Sequence, residues 1–286
     1  MQGGSENIKL IYFKILHKST YFYVLLCNIL KMASYLQQFN ALKVFTLSDA
    51  INIIGTSRNA IELLRRYIKK GYILKIRRDL YTAAEMASGV STANYFEIAS
   101  SISPVSYVAY HSALEFHGIA HQQFFDVYVS SDIRFRNFEF ENVYYQLCRS
   151  LFLDGVIVPP LNSKIKVSNL ERTIIDCIDR IDRAGGLEEL VHALTMIKIV
   201  REDMLLSYLK TYNKDLLYKK AGFILSYFQR AYKLTDIFFS ICKKRRNESI
   251  NFLTNSKEGN TFHKEWILYA PNNILSYLEQ GPDEFI

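Results

Sequence analysis

Residues Gly55–Thr82 read GTSRNAIELLRRYIKKGYILKIRRDLYT, and this stretch decides how the amino-terminal part of the chain folds. Ala60, Ile61, Leu64, Tyr67 and Ile68 recur at the spacing of one helical face, while Arg58, Glu62, Arg65 and Lys69 fall on the opposite one. One side is suited to packing and the other to solvent or a ligand. Lys70-Gly71-Tyr72 ends the pattern, and the segments 73–76 and 77–82 then predict two short strands around a charged tip.

Working upstream, Thr46-Leu47-Ser48-Asp49 has the form of a capping box and predicts a short helix over 47–54. Gly55 permits the left-handed backbone that ends such a helix, and Thr56 or Ser57 can cap the next. Tyr35, Leu36, Phe39 and Leu42 supply a first helix that covers the other two. Helix, tight turn, longer helix and basic hairpin, in that order, are expected for a winged helix-turn-helix over residues 32–87. The plainer alternative is a small amphipathic helical subdomain whose arginines only face water.

Charge separates these alternatives. Between Gly55 and Leu80, Arg58, Arg65, Arg66, Lys69, Lys70, Lys75, Arg77 and Arg78 stand against Glu62 and Asp79, a net of +6 in a chain whose total is +7. Such concentration is the electrostatic footprint of a partner that is itself a polyanion, here double-stranded DNA. Ser57, Arg58, Asn59, Glu62, Arg65 and Arg66 are expected to face the major groove, where arginine can donate to guanine and asparagine can pair with adenine. Lys69, Lys75, Arg77 and Arg78 are expected to hold phosphates. A protein-interaction module that uses the same fold without DNA remains the reading from a different class.

At 286 residues with 49% hydrophobic and 22% charged residues, the chain is an ordinary globular sequence with room for two or three domains. Cys27, Cys148, Cys177 and Cys242 show no paired spacing, which argues against a structural zinc site and a disulfide framework and fits a reducing cytoplasm. The apolar run 21–30 is too short to span a bilayer, and no small-residue cleavage motif follows it. Residues 1–31 are read as an extension upstream of Met32-Ala33-Ser34, as from a misassigned start.

The whole chain reads as α+β. Small polar residues at 88–92 suggest a linker, a mixed α/β region follows over 92–184, and residues 185–286 are expected to be mostly helical. Helices are predicted over 95–101 and 105–116, and extended segments over 124–130, 134–146 and 164–167. Ser168-Asn169-Leu170-Glu171 is a second capping-box form, leading a helix whose buried stripe is Leu170, Ile174, Cys177, Ile178 and Ile181, up to Gly185-Gly186. Helices over 187–198, 202–210 and 216–243 complete the pattern, with a closing strand near 266–269.

Little in the chain argues for chemistry. His117 and His121 have helical spacing, but Gly118 interrupts the helix and no acidic third ligand sits nearby, so no metal is assigned. Asp176, Asp179 and Asp182 could suggest a metal-dependent nuclease; Arg172 with Asp176, Asp176 with Arg180, and Asp179 with Arg183 are more simply i to i+4 pairs on a solvated face. Gly55-Thr56-Ser57 lacks the lysine of a phosphate-binding loop, and neither a Gly-x-Ser-x-Gly elbow nor a paired-cysteine motif occurs. No catalytic set and no cofactor is expected.

Three stretches together resemble the AbiEi family of antitoxins of type IV abortive-infection toxin–antitoxin systems. They are the amino-terminal region with Leu74-Lys75-Ile76-Arg77-Arg78-Asp79-Leu80-Tyr81, the stretch Tyr110-His111-Ser112-Ala113-Leu114-Glu115-Phe116-His117-Gly118, and Val167-Ser168-Asn169-Leu170-Glu171-Arg172-Thr173-Ile174-Ile175-Asp176. The resemblance runs from about Ala33 to Leu190. It implies a winged domain that represses its own operon by binding inverted repeats, two molecules per operator. It also implies an antitoxin domain opposing a nucleotidyltransferase-like toxin, with no stable complex assumed. It names no catalytic residues.

Overall fold

The computed structural model describes residues 32–149, 152–256 and 258–278. The expectations for residues 1–31 lie outside the described residues. The chain is mixed α+β with a mainly helical carboxy-terminal region, and it divides into two compact units, Met1–Asn94 and Tyr95–Ile286.

In the first unit, residues 32–42 form helix α1. Strand β1 (Val44–Phe45) follows, then α2 (Leu47–Ile54), α3 (Ser57–Lys69), β2 (Ile73–Arg77) and β3 (Leu80–Ala83). The capping box forms at the start of α2: Thr46 Oγ1 accepts from Asp49 N, and the Asp49 carboxylate accepts from Thr46 N at 2.8 Å. Gly55, at φ 98°, closes α2, and Thr56 caps α3. Phe39, Phe45, Ala50, Ala60, Leu64, Tyr67 and Ile73 make one core, with the rings of Phe39 and Phe45 stacked at 4.5 Å. Burial of each large apolar side chain there contributes about 1.5–3 kcal/mol.

Strand β1 is an addition to what the pattern predicts. It pairs antiparallel with β3, so the hairpin belongs to a three-stranded sheet ordered β1-β3-β2. Two residues carry too little alternation to be seen as a strand, and their only strong signal is the buried ring of Phe45.

The second unit holds α4 (Tyr95–Ser101), β4 (Tyr107–Val108), α5 (His111–Phe116), β5 (Asp126–Ser131), β6 (Phe138–Phe140), β7 (Val143–Arg149), β8 (Val156–Ile157) and β9 (Val167–Ser168). Its mixed six-stranded sheet is ordered β6-β7-β5-β4-β9-β8, parallel at β5/β7 and β4/β9. The helix expected over 105–116 is therefore shorter. Tyr107 and Val108 enter the sheet centre, and Tyr110, at φ 54°, turns the chain before α5. Val127 and Val129 are buried on β5, whereas the extended segment expected from 124 begins only at Asp126, and Phe125 before it is 80% exposed.

Helix α6 (Leu170–Asp179) is followed by a 3₁₀ turn (Ile181–Ala184), α7 (Leu187–Met196), α8 (Glu202–Tyr212), α9 (Asp215–Ser226), α10 (Gln229–Tyr232) and α11 (Asp236–Arg245). The continuous helix expected over 216–243 is broken into three, with Lys233 at φ 55° ending α10. The expected closing strand is the centre of a small sheet in which β12 (Leu268–Pro271) lies between β10 (Asn251–Phe252) and β11 (Asn260–His263). Gly222 on α9 leaves room for the Trp266 ring, since a Cβ there would sit 2.1 Å from it. No helix among the described residues is long and apolar enough to cross a membrane.

Candidate nucleic-acid interface

Helix α3 buries Ala60, Leu64 and Tyr67, and burial pushes the Tyr67 phenol up to about 12. Tyr67 also donates to Met32 O at 3.3 Å, tying the helix to α1. Ile61 is only partly buried and Ile68 is at the edge of the packed face. On the other side, Ser57, Arg58, Asn59, Glu62, Arg65, Arg66 and Lys69 are all exposed. Thirteen residues at 1.5 Å each make a rod of about 20 Å, presented along its polar side. Arg66 and Lys69 occupy the last turn, where positive charge also favours the helix dipole.

The hairpin is shaped by a register shift between Lys75 and Arg77. In a regular strand Ile73 and Ile76 would point to opposite faces; the bulge lets both be buried while Lys75 stays exposed. Asp79 takes the left-handed conformation in the two-residue turn, at φ 60°, and its Oδ1 accepts from Leu47 N at 2.9 Å. The tip is thereby fastened to the start of α2, and the one acid of the hairpin is occupied by an orphan helix amide.

Lys75 and Arg78 are exposed, whereas Arg77 is half-buried and burial lowers its pKa. No carboxylate among the described residues pairs with Arg58, Arg65, Arg66, Lys69, Lys75 or Arg78. Among the described residues, the unit thus presents a cationic face on α3 and, at Lys75 and Arg78, a cationic hairpin, neither of them paired with a carboxylate. The role of Asp79 was not read from sequence, where it only counted against the net charge.

No family model and no curated protein matches this chain. Among solved structures, the RV2827C protein from Mycobacterium tuberculosis is similar in fold, with a TM-score of 0.60 and 13% sequence identity over 87% of this chain and 94% of that one. At this identity the likeness concerns fold alone.

In the second unit the motif residues are held by structural bonds. His111 is fully buried and its Nε2 donates to Glu189 Oε1 at 3.2 Å; the same carboxylate accepts from the amides of His121 and Gln122. His117 Nε2 donates to Ser168 O at 2.8 Å, and Ser112 Oγ accepts from Tyr128 N at 2.9 Å. His117 ends α5 and His121 lies beyond it, stacked on His192 at 4.2 Å, so the helical spacing of the two does not bring them together.

The second capping box is corrected. Asn169, not Ser168, caps α6 by accepting from Arg172 N at 2.9 Å, because Ser168 is paired in β9. Glu171 turns instead to Arg201; burial works to raise its carboxyl, but the Arg201 side chain and backbone amides together hold it below the usual value.

The solvated-face account of Arg172 and Asp176 is also overturned. Arg172 is 2% and Asp176 1% exposed, and they bond at 3.1 Å inside the protein. Burial pushes the Asp176 carboxyl up, against the pull of Arg172 and a hydrogen bond from Tyr212. Arg172 also donates to Tyr107 Oη at 2.8 Å and to Asp154 O, with Phe152 against its guanidinium at 4.1 Å. The other two predicted pairs do not form, because α6 ends at Asp179 and Arg180 leaves the helical conformation at φ −127°, ψ 74°. Asp179 meets Lys214 at 2.6 Å and Asp182 meets Arg180 at 2.7 Å. Each of the three carboxylates considered for a nuclease centre is occupied by a cation of the protein.

Proposed function

We propose that residues 32–87 are a winged helix-turn-helix that binds double-stranded DNA, with α3 in the major groove and the β2–β3 hairpin as the wing. The observation that carries this reading is the exposed cationic face of α3, which pairs with no carboxylate among the described residues and whose opposite face is sealed in the unit's core. The major groove, about 12 Å wide, admits one helix, and the polar side of α3 carries the residue types that read base edges. Arg58, Asn59, Arg65 and Arg66 are the candidates for base contacts; Lys69, Lys75 and Arg78 hold backbone phosphates, with Arg77 supporting the strand as well as the charge.

The resemblance to AbiEi-type antitoxins extends the proposal to a cytoplasmic antitoxin that represses its own operon at inverted repeats, two molecules per operator, and opposes a nucleotidyltransferase-like toxin. The DNA reading is tested by gel-shift titration of the full chain on duplex from upstream of its gene. A retarded species is expected at low salt, with its sequence preference changed in Arg58→Ala and in Asn59→Ala, and no shift at low salt overturns the reading. The antitoxin reading is tested separately, by co-expression with a nucleotidyltransferase-like neighbour: unrelieved toxicity leaves a plain regulator.

A further inference from the structure

A second concentration of cations lies within the carboxy-terminal unit, and it is concave. A cleft of about 230 Å³ is lined by Arg149, Arg172, Arg180, Arg183 and Lys214 against the carboxylates of Asp176 and Asp179. Most of these charges are already spoken for: Asp176 by Arg172 and Tyr212, Asp179 by Lys214, and Arg180 by Asp182. Arg149 and Arg183 have no carboxylate partner among the described residues. Arg183 is held over the Tyr110 ring at 5.1 Å, which fixes the plane of its donors.

A third group converges on the same space. Ser130, on β5, is 3% exposed and lines the cleft, and its hydroxyl has no hydrogen-bond partner among the described residues. The hydroxyl opens onto a cationic hollow, where it can donate to an oxygen of an anion. The cleft also lies below the 300 Å³ lower end typical of drug-sized pockets and holds the volume of about eight waters. Its size suits one compact anion, and its concavity suits a small ligand better than a flat macromolecular surface.

We propose that this cleft binds a phosphate group, held by Arg149, Arg183 and the Ser130 hydroxyl, with Arg180 and Lys214 raising the positive potential around it. Two guanidiniums and a hydroxyl match a tetrahedral dianion with several acceptor oxygens better than a planar monocarboxylate. Arg172 does not touch the ligand, because its donors are engaged by Asp176, Tyr107 and Asp154. This inference is independent of the DNA-binding proposal.

The test is isothermal titration calorimetry of the full chain with inorganic phosphate and, separately, with a nucleoside 5′-monophosphate. Saturable heat is expected from phosphate, weakened about tenfold or more in Arg149→Gln and in Arg183→Gln and about fivefold in Ser130→Ala. Equal affinity for the two ligands identifies the phosphate group alone as the determinant; tighter binding of the monophosphate identifies a nucleotide. Arg149 is exposed at the end of β7, so Arg149→Gln carries the test should Arg183→Gln not fold. Absence of saturable heat from both ligands up to about 10 mM, or affinity unchanged in Arg149→Gln, overturns the proposal. So does loss of DNA retention in Arg149→Gln without phosphate binding, which assigns these cations to a nucleic-acid surface.

Discussion

Removing Lys75 and Arg78 together should flatten the salt dependence of DNA binding by a calculable amount. Both side chains are exposed on the β2–β3 hairpin, neither has a carboxylate partner among the described residues, and neither contributes to the core of the first unit. Each phosphate contact releases close to one counterion, so Lys75→Ala with Arg78→Ala should reduce the slope of log K against log salt by about 1.8. Across a fourfold change in salt, from about 50 to about 200 mM, the wild-type protein then loses about twelvefold more affinity than the double variant. Fluorescence anisotropy on a labelled duplex at several salt concentrations measures both slopes, and thermal melting confirms that the variant is folded. Arg77 is a poorer probe, since it is half-buried and its loss also disturbs the strand. Parallel wild-type and double-variant lines would show that the hairpin does not lie on phosphates, whatever α3 does.

The remaining predictions concern specificity, the core and pH. Arg58→Ala or Asn59→Ala should change the preferred sequence more than overall affinity, as read by competition between operator variants, with about 1–3 kcal/mol of discrimination lost per base contact. Arg172→Ala strands the buried Asp176 carboxylate and should cost about 3–5 kcal/mol in urea unfolding; a loss under 1 kcal/mol, in the range about usual for an exposed pair, would mean the pair is solvated after all. Gly222→Ala drives a methyl into the Trp266 ring and should cost about 1–3 kcal/mol, visible as a lower melting temperature with Trp fluorescence as the probe. Burial pulls the His117 imidazole below its ordinary 6.5, so as pH falls the unfolded chain takes up this proton before the folded one. The His117 contribution is therefore complete above 6.5 and is lost as pH falls through that value toward the lowered folded one. His117→Gln should remove that part of the slope of unfolding free energy against pH, and an unchanged slope contradicts the assignment.

The elements legible in the sequence were those whose signals are local. Thr46, Asp49, Gly55 and Thr56 punctuate α2 and α3 within a few residues, and the polar face of α3 follows from spacing alone. What stayed hidden depends on partners distant in the chain. Strand β4 is two residues long and becomes a strand only because β5 and β9 flank it. Arg172 and Asp176 look like a surface pair at helical spacing, and nothing nearby announces that Tyr107, Phe152 and Tyr212 enclose them. The cleft beside them combines Ser130, Arg149 and Arg183 from three separate segments, so its charge never shows as a run. A mid-helix glycine was a readable hint: Gly222 costs helix stability, and the Trp266 ring accounts for it.

The bond from Asp79 to the Leu47 amide gives the hairpin tip a stiffness that matters once DNA is the partner. Displacing the tip breaks this bond to the first amide of α2 and forfeits about 1 kcal/mol, so the duplex rather than the protein must adjust when flanking phosphates are out of place. Operators that bend easily toward the tip would then outcompete rigid ones carrying the same contacted bases. An aspartate that touches no nucleotide would in this way help choose among promoters.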